Sequence, residues 1–359
     1  MALLTPQHLR GHLPSLNSLR GVAVLLVYLF HADVPGFTGG FIGVDIFFVL
    51  SGFLITILLL QEYQTTGTIF FKNFYMRRIL RLFPALCLLL IVFVIFSLFF
   101  FPTAAEKLFH IEDAFLTLFY ISNWTRAFDL GRPVVLGHCW SLSIEEQFYI
   151  FWPLLLYFLM RFTPSLRALS ITVLLLISWG WRLWLLDNDA SWSRLYNGFD
   201  TRADMLLAGC LLASLWNAGY LNFWKTRAKV RKIAVGMAAI VLLLSPLICN
   251  WQTGALYRYQ YGLIALASAV VILDCVSGPG VLIRALEFAP LVWLGKVSYG
   301  FYLWHYPIIH IVGATSQLNR LQFVATTFSL TLICTVISWY GLESVVQRKY
   351  KTRYRLRGA

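Results

Sequence analysis

The sequence predicts an all-α fold, a polytopic bundle of about ten transmembrane helices, on three observations. Of 359 residues 59% are hydrophobic, only 13% are charged, and apolar runs of fifteen or more recur along the whole length. No soluble domain is visible in that pattern, so residues 1–359 read as a single membrane-embedded domain with no appended soluble one. The net charge of +13 would suit nucleic acid in a soluble chain. Here the basic residues cluster between apolar runs, as the positive-inside rule expects, so membrane lipids are the expected partner and nucleic acid is not. The six cysteines (Cys87, Cys139, Cys210, Cys249, Cys275, Cys334) are scattered, mostly within apolar runs, without CxxC or His/Cys ligand spacing. They read as small core residues, and no metal is expected.

Taken in order, the spans fall near 17–33, 40–61, 83–101, 143–161, 169–186, 203–217, 233–249, 260–275, 295–313 and 321–343. The first run leads into His31, Ala32, Asp33 and Pro35 rather than a small-residue cleavage site, so it is a retained helix and not a signal peptide. A Gly-rich crossing (Gly36, Gly39, Gly40, Gly43) leads to the second span, Pro84 begins the third, and the fourth starts near Ser143. Ten helices put both termini on one side. Lys72, Arg77, Arg78 and Arg81, then Arg161 and Arg167, then Lys225, Arg227, Lys229, Arg231 and Lys232, and finally Arg348 to Arg357 share that side, which makes it the cytoplasmic face of a multi-pass cell-membrane protein. The segment 102–142 is different. Its apolar stretch AFLTLFYISNW is short and preceded by Glu106, Glu112 and Asp113, and counting it as a span would break the charge bias, so an external or re-entrant loop is expected. No fixed-period repeat and no inverted pair of broken helices is present.

Four constellations carry possible chemistry. Arg20 and His31 lie eleven residues apart in the first span, about three turns, which puts both on one face roughly 16 Å apart. They could be interfacial anchors, one snorkelling and one at the outer boundary, or functional groups serving substrates from opposite sides of the bilayer. Asp45, five residues into the second span, falls at about the depth of His31, where a carboxylate could fix the imidazole's tautomer and raise its basicity. The glycines before it also suit close helix packing, and Gly39 to Gly43 has that spacing. The second constellation, FFKNFYMRRILRLFPAL, places Arg78 and Arg81 on one helix face with Arg77 and Lys72 nearby, suited either to phosphate oxygens or to anchoring at the membrane surface. In the third, HCWSLSIEEQFYIFWP, Ser143 and Glu146 match a capping box, whereas Glu145 could hold a sugar hydroxyl, pair with His138 or Arg202, or stabilise the helix dipole. In the fourth, KVSYGFYLWHYPIIH, His305 with Pro307 after it reads as a core histidine donating to a backbone carbonyl. His110 and His310 read as structural.

Together LNSLRGVAVLLVYLFH, GFIGVDIFFVLSGFLIT, RRILRLFPAL, HCWSLSIEEQFYIFWP and SYGFYLWHYPI resemble the bacterial acyltransferase family 3 membrane O-acyltransferases, which modify cell-surface polysaccharides and some secreted glycosides. The stretches occur in family order and span nearly the whole chain. The resemblance implies that acyl-CoA (acetyl-CoA) is the cytoplasmic donor and that a hydroxyl of a carbohydrate or glycolipid acceptor receives the acyl group towards the outer face. It implies that His31 is the catalytic histidine with Arg20 as its partner, that Arg78 and Arg81 contact the CoA phosphates, and that Asp45 and Glu145 are polar residues of the central cavity. Family members differ in whether a soluble esterase-like domain follows the last span. This chain stops after a short basic tail, so any need for such a domain is expected to be met by a separate protein, or the acceptor does not require it.

The mechanism this suggests has His31 taking the proton from an acceptor hydroxyl as it attacks the thioester, with Asp45 orienting the ring; a covalent acyl-histidine is the other route. The rival from another class is a proton-coupled transporter or flippase of a glycolipid or acyl carrier, using His31, Asp45 and Glu145 as a relay.

Overall fold

A computed structural model describes residues 14–278 and 282–355; the far end of the basic tail, with Arg357, lies outside the described residues. Every regular element among the described residues is helical. The main helices are α1 (Pro14–His31), α2 (Gly43–Thr66), α3 (Phe71–Phe100), α4 (Ala104–Leu118), α5 (Trp140–Leu159), α6 (Pro164–Asp187), α7 (Phe199–Asn217), α8 (Ala228–Ile248), α9 (Tyr261–Val276), α10 (Ala289–Thr315), α11 (Arg320–Ser338) and α12 (Ser344–Arg355). Each of the ten sequence-placed spans falls on one of them. Among the described residues six helices are, by length and composition, apolar enough to cross a membrane, and the protein is a helical membrane protein.

Three boundaries differ from expectation. Helix α3 starts at Phe71 and carries Pro84 inside it, so the basic cluster is helical and Pro84 does not open the span; a proline removes one ladder bond and need not end a helix held by tertiary packing. Helix α5 starts at Trp140, after a 3₁₀ turn over Gly137–Cys139. Ser143 is therefore inside the helix, its Oγ donating back to the Cys139 carbonyl at 3.2 Å, and the Ser143/Glu146 capping box does not form. Boxes do form at Thr103/Glu106, opening α4, and at Asn319/Gln322, opening α11. Finally, the expected loop 102–142 contains α4, at 15 residues too short to span a bilayer.

The described contacts divide into two compact units. The first comprises residues up to 69 and 144–296. Its axis is α2, 78% buried over its apolar stretch, with α1, α7 and α9 packed around it. At the α2/α7 crossing a Cβ on Gly52 would strike the Leu206 carbonyl, and one on Gly209 the Val49 carbonyl. Backbone touches backbone there, the close approach that small residues permit in membrane helices. Helix α5 is pinned to α2 by Trp152 Nε1 donating to Thr56 Oγ1 at 2.8 Å. The lipid-side character is plain on α6, which exposes Leu169, Val173, Leu176 and Ile177.

The second unit comprises residues 70–143 and 297 onward. Helix α4 packs on α3 through His110, Asp113, Ala114 and Thr117, spaced i, i+3, i+4, i+7 and all buried. Its outer face shows Leu108 and Phe115. Glu106 and Glu112 are exposed on the same helix, so its outer surface mixes apolar and acidic groups, as suits an amphipathic helix at a bilayer interface. Arg132 ties the following loop down, donating to Asp113 at 2.8 Å, Glu112 at 2.7 Å and the Phe109 carbonyl at 2.6 Å. Burial disfavours its charge, but the bonds to Glu112 and Asp113 outweigh that and raise its pKa.

Candidate active site

His31 is the last residue of α1, and the chain locks that end. The amide of Val34 donates to Leu29 at 3.0 Å and that of Asp33 to Phe30 at 3.1 Å, with Asp33 in the left-handed region at φ 51°. This is a Schellman closure, with aspartate in the place usually taken by glycine. The half-buried imidazole therefore sits at the negative end of the helix dipole, where positive charge is favoured. Its ring lies 5.1 Å from that of Phe30.

Beyond Phe30 an aromatic chain leads inward. Phe30 meets Phe41 at 5.5 Å, Phe41 meets Tyr196 at 5.8 Å, and the Arg202 guanidinium lies 5.4 Å from the Tyr196 ring. Arg202 and Asp45 form a fully buried ion pair between the first turns of α7 and α2. The Tyr261 ring, from α9, covers the guanidinium at 3.9 Å, a desolvated cation–π contact. Beside them Arg182 of α6 pairs with Asp204 at 2.7 Å and donates to the carbonyls of Thr201 at 2.7 Å and Tyr257 at 3.1 Å. Two acids and two arginines make a neutral layer tying α2, α6, α7 and the start of α9 together.

Asp45 is engaged by Arg202, a partner that its depth near His31 did not suggest. Its Oδ1 accepts from Arg202, and its Oδ2 has no hydrogen-bond partner among the described residues. The physical reason is competition: a guanidinium inside a low-dielectric bundle must find a carboxylate. Sequence reading considered Arg202 only as a partner for Glu145 and did not single out Arg182 or Asp204. The available signal was charge within apolar runs, Arg182 above all, in SWGWRLWLL.

The remaining expected residues divide between the units. In the first, half-buried Glu145 accepts a hydrogen bond from Ser51 Oγ of α2 at 2.6 Å, and half-buried Arg20 donates to Asn17 Oδ1 at 3.3 Å. In the second, Arg78 is half-buried while Lys72, Arg77 and Arg81 are exposed on the first three turns of α3. His138 is buried, its Nε2 3.2 Å from the Leu303 carbonyl, and the rings of Tyr302, His305 and Tyr306 surround it at 5.0–5.3 Å. His305 Nδ1 lies 2.6 Å from the Tyr302 carbonyl, the backbone contact expected of it. Sequence reading passed over Glu343, buried beside Ser338, whose Oγ donates to it at 2.8 Å. Among the described residues no group of three or more His, Cys, Asp or Glu is disposed to hold a metal ion.

An apolar exterior, ionisable groups gathered within the helices and an imidazole at a closed helix end define a polytopic membrane protein with a chemically equipped interior. The family described as acyltransferase domain matches residues 13–341, and the chain belongs to it. It is 37% identical over 357 residues to the peptidoglycan O-acetyltransferase OatA of Listeria monocytogenes, covering 96% of this chain and 57% of that one. It is 34% identical over 353 residues to the O-acetyltransferase OatA of Staphylococcus aureus, covering 94% and 58%. With YrhL of Bacillus subtilis the figures are 36% over 359 residues, 95% and 56%. The chain therefore spans less than three-fifths of the length of these relatives. No solved structure matches it.

Proposed function

We propose that residues 1–359 act as one membrane-embedded O-acyltransferase domain, moving an acetyl group from cytoplasmic acetyl-CoA to a hydroxyl of a carbohydrate acceptor towards the outer face of the cell membrane, with both termini cytoplasmic. The observation that carries this reading is His31, a titratable base held at the locked end of α1. The family match and the names of the relatives support the reaction class, and two relatives named for peptidoglycan favour a wall glycan as acceptor.

In this reading His31 removes the proton from the acceptor hydroxyl as that oxygen attacks the thioester carbonyl; the carbon–sulfur bond breaks and CoA leaves as thiolate. Arg78 and Arg81 hold the donor's phosphates, a role the guanidinium fork suits. Arg20 supports the donor side of α1, and Glu145, with Ser51, holds a hydroxyl. Asp45 acts through Arg202, fixing the helices that carry the site.

Labelled acetyl-CoA and soluble peptidoglycan fragments, given to purified protein in proteoliposomes, test the reading. A positioned histidine base contributes about 10²–10⁴ in rate, and His31→Ala is expected to lose that much. Transfer at the wild-type rate by a normally inserted variant would overturn it.

A further inference from the structure

At the end of α1 the structure holds a cavity of about 230 Å³ lined by Phe30, Asp33, Val34, Phe37, Thr38 and the turn Asn250 to Gln252, with His31 between two lining residues in sequence but not itself in the lining. We infer that this cavity is the acceptor subsite and that it takes one uncharged pyranose ring of a glycan. The inference rests on the acyl-transfer reading and adds to it where the sugar sits and what recognises it.

The lining has the chemistry a sugar needs. Trp251, Phe30 and Phe37 are apolar plates for the C–H face of a pyranose, while Asp33, Thr38, Asn250 and Gln252 bring a carboxylate, a hydroxyl and two amides for its hydroxyl edge. A few polar groups among aromatic walls is the usual composition of a small-molecule site. The volume suits one monosaccharide rather than a longer segment.

Both walls are held rather than loose. Asp33 is placed by the closure of α1, and Gly39, just beyond Thr38, donates its amide to the Pro246 carbonyl of α8 at 2.8 Å. On the other side the Asn250 carboxamide accepts from the Gln252 amide at 2.9 Å, and the Trp251 carbonyl accepts from Tyr257 Oη at 2.6 Å. The Trp251 ring lies 5.8 Å from that of Tyr196, so it joins the aromatic chain that runs through Phe41 to Phe30. Phe30 is at once a wall of the cavity and the ring neighbour of His31. A sugar seated there would contact Phe30, the ring that neighbours the proposed base.

Saturation-transfer NMR on the purified full chain in nanodiscs, with N,N′-diacetylchitobiose as probe and glucuronate as charged control, tests the proposal. Transfer to the chitobiose ring protons is expected, with none to glucuronate. Trp251→Ala should weaken binding about tenfold, the scale of one aromatic platform. Gln252→Ala, at an exposed position where folding is not at risk, should weaken it measurably as well. No transfer to wild type at millimolar probe, or equal binding by wild type and both variants, would overturn the subsite. Thermal stabilisation by acetyl-CoA, measured in parallel, reports on the wider reading: its absence in wild type would count against acetyl-CoA as the donor, whatever the sugar result.

Discussion

Arg202 and Asp45 show what a single residue decides in this molecule. Removing one partner of a buried ion pair leaves the other charge without compensation, at a cost of about 3–5 kcal/mol. Arg202→Met is therefore expected to lower the melting temperature of the detergent-solubilised protein sharply, and Asp45→Leu added to it should restore much of the loss. If the double variant is as unstable as the single one, the pair is not what holds Asp45. At Arg78 and Arg81 the expected effect is on function. Lysine there keeps the positive charge that topology needs but loses the guanidinium fork, so the double change to lysine should raise KM for acetyl-CoA and leave membrane insertion intact. Unchanged transfer kinetics would show that the two guanidinium forks do not hold the donor.

Among the elements, the α2/α7 crossing and the entrance to α7 are the exposed points. Gly52→Ala places a methyl on the Leu206 carbonyl, a collision with backbone rather than with a movable side chain. Overpacking of that kind costs about 1–3 kcal/mol, and the melting temperature should fall accordingly. At the entrance to α7, burial pushes the Asp200 carboxyl up, but hydrogen bonds from Arg194 and from Trp181 Nε1 at 2.7 Å pull harder and hold it below the usual carboxylate range. A carboxylate whose folded value is lowered stabilises the fold above its unfolded pKa, about 4, and loses that contribution as pH falls through the folded value. The melting temperatures of wild type and Asp200→Asn should thus differ at neutral pH and converge in acid. A gap that stays constant below pH 4 would show that the pairing does not carry the effect.

For the whole molecule, the apolar exterior and the neutral charged layer are two sides of one constraint. Side chains facing lipid must be apolar, so ionisable groups gather where helices meet and are retained as pairs. A donor that binds only the native state should raise its melting temperature, and acetyl-CoA is expected to do so with increasing concentration. No shift at saturating acetyl-CoA would count against the proposed donor.

The sequence by itself determined the helical membrane class, a helix at each of ten apolar runs, the family, and Arg20, His31, Asp45, Arg78, Arg81 and Glu145 as the residues to examine. Apolar length and local charge are properties of neighbouring residues and can be read along the chain. Helix starts were less legible, because at α3 and α5 packing carried the helix past the local signals of Pro84 and Ser143. The partner of Asp45, the arginine and aspartate beside it and the cavity at the end of α1 were decided only by tertiary structure. Each depends on residues far apart in sequence, 157 positions in the case of Asp45 and Arg202, and which carboxylate a buried guanidinium reaches is set by how the helices cross.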